Sequence, residues 1–238
     1  MRWTQITECG PVRRRNEDWL SVCPNLGLFA VADGMGGHQA GDVASRLALE
    51  VLEHCLGKLQ YKKMPSRDRL AWGIQQANEA VYLAAREDMQ RRGMGTTITA
   101  CLVEDYKVTV ANVGDSRALL LREGQINKLT VDHSLVQELI DGGGISEKEA
   151  LRHPQRNVLT RALGIDPRVD VDIYEYGIAK GDRLLICTDG LTGFVPEQRI
   201  GELVMLSPNL HETVYLLQKE AIAFGSNDNI TIILLAVD

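Results

Sequence analysis

The sequence lacks any hydrophobic run near the roughly 20 residues that a membrane-spanning helix needs, so no membrane span is expected. Its opening residues, Met1-Arg2-Trp3-Thr4-Gln5, carry no apolar signal core; export is not expected, and a cytoplasmic location is. Cysteine is sparse and scattered, at Cys9, Cys23, Cys55, Cys101 and Cys187. With no Cys-x-x-Cys pair, neither a zinc ribbon nor a disulfide framework is supported, and free reduced thiols are expected. The histidines show no His-Glu-x-x-His spacing, which argues against a zinc hydrolase of that kind. Nucleotide-binding glycine loops are missing too: Gln39 stands where Gly34-x-Gly36 would need its third glycine. Nor is there a surplus of positive charge. The 26 Lys and Arg against 32 Asp and Glu give a net charge of −6, so no nucleic-acid partner is expected. What remains is ordinary globular composition, 45% hydrophobic and 24% charged. The 238 residues show no linker or repeat and fit one domain, 1–238. Nothing in them forces an oligomer, and a monomer is expected.

Strand-like runs at 3–8, 20–23 and 28–32 precede a helical stripe: Ala40, Val43, Ala44, Leu47, Ala48, Val51, Leu52, Cys55, Leu56 and Leu59 recur every three or four residues. A second helix is expected over 69–89. Strands at 97–103, 107–112, 116–121 and 126–129 have short polar links and are expected to pair as antiparallel hairpins. The polar segment 132–156, with Gly142-Gly143-Gly144, reads as a surface insertion holding two short helices. Strands follow at 158–162, 169–176 and 183–187, then helices at 196–206 and 210–223, and a last strand at 230–237. Strands and helices come in blocks, not one by one. That pattern argues α+β: a four-layer α-β-β-α sandwich, two mainly antiparallel sheets flanked by helix pairs.

Four aspartates stand at the tips of apolar strands. Asp33 follows Leu28-Phe29-Ala30-Val31-Ala32 and precedes Gly34; Asp189 follows Leu184-Leu185-Ile186-Cys187-Thr188 and precedes Gly190. Asp115 lies between two strands and Asp228 precedes the last one. Any one of them alone reads equally well as a turn residue, since Asp-Gly is a common turn dipeptide. Four together suggest a carboxylate cluster. Such a cluster repels itself unless cations sit within it, and oxygen-only ligands select hard Mg²⁺ or Mn²⁺. A second constellation is Arg13-Arg14-Arg15-Asn16-Glu17-Asp18. Arg14 and Arg15 read as solvated, whereas one arginine fork suits a phosphate.

In motif order the chain resembles the protein phosphatase 2C (PPM) family, the metal-dependent serine/threonine phosphatases. The resemblance is carried by Arg13-x-x-Asn16-Glu17-Asp18, Val31-Ala32-Asp33-Gly34-Met35-Gly36-Gly37-His38, Gly95-Thr96-Thr97, Asn112-Val113-Gly114-Asp115-Ser116-Arg117, Asp132-His133-Ser134, Leu159-Thr160-Arg161-Ala162-Leu163-Gly164, Thr188-Asp189-Gly190-Leu191 and Asn227-Asp228-Asn229. It spans nearly the whole chain and has the lean form of the bacterial branch. It implies hydrolysis of phosphoserine and phosphothreonine in proteins by direct attack of a metal-bridging hydroxide, with two Mn²⁺ or Mg²⁺. By the same resemblance Asp33, Asp189 and Asp228 carry the metals, with the Gly34 carbonyl as a further ligand. Asp115 and Asp189 hold a third, weaker ion, Glu17 and Asp18 act through metal-bound waters, and Arg13 grips the phosphate. The segment 132–156 becomes a flap beside the site. Phosphorylated proteins are the implied partners, among them a bacterial Ser/Thr kinase and its substrates. Met35 replaces the histidine that many eukaryotic members carry after Asp-Gly. His38 does not match that position and reads as structural, leaving a metal-bound water to protonate the leaving group. Two rivals are a thiol phosphatase built on Cys9-x5-Arg15 and a catalytically weak signalling or binding module with the same fold. Pro11, which lacks an N–H, and Glu8 argue against the first; the intact set of aspartates argues against the second.

Overall fold

The computed structural model describes residues 1–36, 40–58, 63–150 and 153–238. His38 and Leu59 lie outside the described residues. In chain order the elements are β1 (Arg2–Glu8), β2 (Asp18–Cys23), β3 (Leu28–Met35), helices α1 (Gly41–Gly57) and α2 (Ser66–Glu87), then β4 (Gly95–Thr96), β5 (Ile98–Glu104), β6 (Lys107–Val113), β7 (Arg117–Arg122) and β8 (Gln125–Lys128). Two short helices follow, α3 (Leu135–Asp141) and α4 (Glu147–Ala150), before β9 (Asp172–Gly177) and β10 (Arg183–Cys187). The one-turn α5 (Asp189–Thr192), α6 (Glu197–Leu206), α7 (Leu210–Ala223) and β11 (Ile230–Ala236) complete the chain.

One sheet has the order β1-β11-β10-β7-β8 and the other β2-β3-β5-β6-β9, with β4 paired to β3; every pairing is antiparallel. The expected four layers follow from three apolar clusters. α1 and α2 press Leu49, Leu52, Leu70 and Ile74 onto the sheet that holds β3. α6 and α7 press Ile200, Val204, Val214 and Leu217 onto the sheet that holds β11. Phe29, Val31, Ile186 and Ile233 fill the space between the sheets. β3 and β11 therefore have a helix layer on one side and the partner sheet on the other. That double burial is why Leu28–Ala32 and Ile232–Ala236 read as unbroken apolar runs rather than alternating ones.

Three sequence expectations change. β6 and β7, joined by Gly114-Asp115-Ser116, do not form a hairpin: β6 pairs with β5 and β9, β7 with β8 and β10. The link instead crosses from one sheet to the other. Gly114 permits the crossing, with φ of +108° and a would-be Cβ only 2.5 Å from the Thr97 Cγ2. The strand expected at 158–162 is reduced to a single bridge, Leu159 with Ser134, and Leu163 makes another with Thr96. Among the described residues that segment meets partner backbone at those two bridges. Finally, the flap is not all surface. Its first residues, Asp132, His133 and Ser134, are buried. Asp132 takes a two-pronged bond from Arg117 (3.1 and 2.6 Å) and an ion pair from Lys128 (2.9 Å), which anchors the base of the flap to the sheet.

Phe29 is fully buried at the inter-sheet layer, edge-on to Trp3 at 6.0 Å. Phe29→Ala is expected to cost about 3–5 kcal/mol, read as a shift in the urea midpoint. A loss below about 1 kcal/mol would mean that the two sheets do not depend on this layer.

Candidate active site

The crossing of β6 into β7 brings together residues far apart in sequence. Cys187, the last residue of β10, stands opposite Ile232 of β11 and Arg117 of β7. Asp189, Asp228 and Asp115, each two residues beyond one of those strand ends, therefore meet at one edge of their sheet. From the other sheet, Asp18 and Asp33 face each other directly across β2 and β3. Asp33 is thus not beyond its strand, as the sequence suggested, but within β3. The Thr188 hydroxyl joins the two sheets, donating to Asp18 Oδ2 at 2.8 Å.

The carboxylates share a recess. Asp18 is buried, while Asp33, Asp115, Asp189 and Asp228 each keep a partial surface on the cleft. Burial and mutual repulsion act in the same direction. Burial first, then Asp18, Asp189 and Asp115, hold the Asp33 carboxyl well above its ordinary value. Burial, then Asp189 and Asp132, does the same for Asp115. Asp189 is raised by burial and Asp228. Asp18 is pushed up to about 7 by burial and by Asp189 and Asp228, against hydrogen bonds from Thr231 and Thr188. Two buried carboxylate oxygens, Asp18 Oδ1 and Asp189 Oδ1, have no hydrogen-bond partner. An acid cluster with orphaned oxygens is what a bound cation would satisfy. Among the described residues, no three acidic, histidine or cysteine side chains surround a single point as a ready-made cage.

The other expected site residues border the same recess, in part with tasks the sequence did not disclose. Gly34 donates its N–H to the Glu17 carbonyl (3.1 Å), and a Cβ there would fall 2.0 Å from the Gly41 carbonyl oxygen. This glycine is needed to let β3 meet the start of α1. Burial and Asp42 raise the pKa of Glu17, whose carboxylate also accepts the Gly41 N–H at the N-terminus of α1. Arg13 does not stand free to grip a ligand; its Nη2 donates to Asp228 Oδ2 at 2.8 Å.

Asn229 is the residue that sequence reasoning quoted without a role. Its Oδ1 accepts the Glu17 N–H (2.8 Å), and its Nδ2 donates to the carbonyls of Cys9 and Arg15 (2.9 Å each). One buried amide thus fixes the Arg13 loop, Glu17 and Asp228 relative to one another. The only available signal was its place between Asp228 and a buried strand. Thr97 is a second such residue: its hydroxyl accepts the Asp33 N–H (2.9 Å) and is hydrogen-bonded to the Ser116 hydroxyl (2.9 Å). The Cys9 thiol donates to the Arg13 carbonyl at 3.2 Å, so the rival Cys-x5-Arg loop is not arranged as a phosphate cradle.

Raised carboxylate pKa values mean that the cation-free folded chain binds more protons than the unfolded one. The stability these groups provide is complete below about pH 4, the ordinary carboxylate value. It is lost as pH rises through the folded value, about 7 for Asp18. In excess chelator the melting temperature is expected to fall from about pH 5 to about pH 8, with Mn²⁺ restoring most at the upper end. A chelated protein whose melting temperature is flat or rises over that range would contradict the shared burial of these carboxylates.

Comparison with known proteins bears on this site. Residues 8–139 match the model of the family described as Protein phosphatase 2C. The serine/threonine phosphatase stp of Listeria monocytogenes is 40% identical over 238 residues, covering 98% of this chain and 94% of its own. The crystal structure of the Mycobacterium tuberculosis serine/threonine phosphatase PstP/Ppp superposes with a TM-score of 0.91 at 34% identity, over 100% of this chain and 98% of that one. The catalytic domain of PstP in complex with 2 manganese ions gives 0.89 at 33% identity, over 100% and 98% of the two chains. With motif order, four-layer fold and full-length similarity in agreement, the chain belongs to the protein phosphatase 2C family, alongside these bacterial serine/threonine phosphatases.

Proposed function

We propose that this chain is a single catalytic domain, 1–238, that hydrolyses phosphoserine and phosphothreonine in proteins with the help of two divalent cations, Mn²⁺ or Mg²⁺. The observation that carries this reading is the convergence of Asp18 and Asp33 from one sheet with Asp115, Asp189 and Asp228 from the other, with two carboxylate oxygens left unsatisfied. The manganese ions bound by the PstP catalytic domain support the same assignment. Asp33, Asp189 and Asp228, with the Gly34 carbonyl, hold the pair, and Asp115 with Asp189 forms a weaker third position. Glu17 and Asp18 contribute through intervening water.

When bound, the cations supply Lewis acidity and make water a stronger nucleophile near neutral pH. The chain's own residues do the rest. Arg13, whose side chain is 48% exposed, turns from Asp228 to the phosphate and presents its planar fork to two oxygens. Thr188 holds Asp18 in place, and Asn229 holds the Arg13 loop over the recess. Water adds to phosphorus as the bond to the serine or threonine oxygen breaks, with no phosphorylated side chain between. The Cys9 thiol, turned to a backbone carbonyl, supports that choice. In the cell such a phosphatase works in the cytoplasm as a monomer and opposes a bacterial Ser/Thr kinase. Among the described residues no helix is long and apolar enough to cross a membrane.

Release of phosphate from a phosphothreonine peptide is expected to stop in EDTA and return with excess Mn²⁺. Asp189→Ala is expected to lose at least about a hundredfold in kcat/KM, as removal of a metal-holding carboxylate should, while keeping its circular-dichroism spectrum. Turnover indifferent to EDTA, or a folded Asp189→Ala with near-normal activity, would overturn the assignment.

A further inference from the structure

Beside the carboxylates a pocket of about 490 Å³ opens between the flap and the turn that leads from α5 to α6. That is within the roughly 300–1,000 Å³ of sites that enclose a ligand group. Asp115, Asp189 and Asp228, the proposed reaction centre, are part of its lining. The lining also holds apolar side chains from two parts of the chain: Val136, Ile140 and Ala150 of the flap, and Phe194, Val195 and Pro196 after α5. Val136, Ile140 and Phe194 are only half-buried, so these side chains present apolar surface to the pocket.

Apart from the reaction-centre aspartates and Arg156, the charged groups of the pocket, Arg117, Lys128, Asp132 and Glu197, are engaged with one another. Arg117 bonds to Asp132 (2.6 Å) and Glu197 (2.9 Å), and Lys128 pairs with Asp132 (2.9 Å). Arg156 lies over the Phe194 ring, 5.1 Å from its centroid, and donates to the Gly193 carbonyl at 3.2 Å. With Arg117, Lys128, Asp132 and Glu197 paired among themselves, this part of the pocket leaves little for an acidic or basic side chain to gain. The unsatisfied requirement is for apolar contact. The pocket is continuous with the reaction centre, so the segment that enters it is the one that carries the phosphate. At about 3.5 Å per extended residue, that means a neighbour one or two places away.

We propose that this pocket is a substrate subsite for an apolar side chain next to the phosphorylated serine or threonine. The subsite rests on the phosphatase reading and narrows its substrates to phosphopeptides with a hydrophobic flank. Burial in such a pocket is worth roughly tenfold or more in discrimination.

The test uses the full chain with Mn²⁺ and phosphothreonine peptides varied one position at a time, from two before to two after the phosphoresidue, through Ala, Leu, Phe, Lys and Glu. At one of these positions kcat/KM is expected to be about tenfold higher for Leu or Phe than for Ala, with Lys and Glu no better than Ala. In Ile140→Ser and, separately, Val136→Thr, that Leu-to-Ala ratio should drop toward one. The ratio is taken within each variant, so a general loss of activity does not affect it. A ratio near one at every position, a preference for Lys or Glu, or a preference unchanged in both variants would overturn the subsite. Absence of Mn²⁺-dependent turnover of para-nitrophenyl phosphate by the unaltered chain would instead overturn the phosphatase reading itself.

Discussion

Like charges held close together in a recess with restricted water are what the rest of this structure must accommodate. Two unit charges 4 Å apart at an effective dielectric near 20 repel by about 4 kcal/mol. Here five aspartates border one cleft, and four of them have carboxyl groups held above their ordinary values. A chain does not gather such groups for stability. Arg13 offsets part of the charge through Asp228, and Arg117 meets Asp132 rather than the central aspartates. What remains is acidic, desolvated and partly without hydrogen bonds, which makes the cleft a receptor for hard cations that displace its protons.

The fold makes this arrangement rigid. Each central strand is covered on both faces, so the strand ends that carry Asp33, Asp189 and Asp228 are fixed by a packed interior rather than by loops. Short polar contacts then set their relative positions: Thr188 to Asp18 across the sheets, Thr97 to the backbone of Asp33, and Asn229 to three points of the loop between β1 and β2. The flap attaches through a buried Asp132, and Val136 and Ile140 of α3 line the cleft. A stable base with a half-exposed wall suits a surface that meets many substrate side chains while the chemistry below stays unchanged.

Much of this was legible in the sequence, and for identifiable reasons. Doubly covered strands announce themselves as apolar runs, and α1 and α2 as stripes of three and four residues, because burial selects residues without regard to tertiary detail. The aspartates were legible because polar residues seldom end such runs four times over. What stayed hidden depended on contacts across the chain. The passage of β6 into β7 between sheets looks, in sequence, like a tight hairpin, since Gly114-Asp115-Ser116 satisfies both. The strand expected at 158–162 has apolar residues but no edge to pair with. Asn229 and Thr97 carry no local signature of their role, which exists only once Cys9, Arg15, Glu17 and Asp33 have been brought to them. The pairing of Arg13 with Asp228, 215 residues away, was likewise unreadable.

The central claim, that the cleft is a cation site shaped by shared carboxylate burial, is tested most directly by titrating the chelated protein with Mn²⁺ in a calorimeter, in several buffers of different ionisation enthalpy near pH 7. The account predicts saturable binding of about two ions per chain and an apparent heat that varies with the buffer, because protons leave the raised carboxylates as cations enter. Absence of saturable binding, or binding whose heat is the same in every buffer, would contradict it.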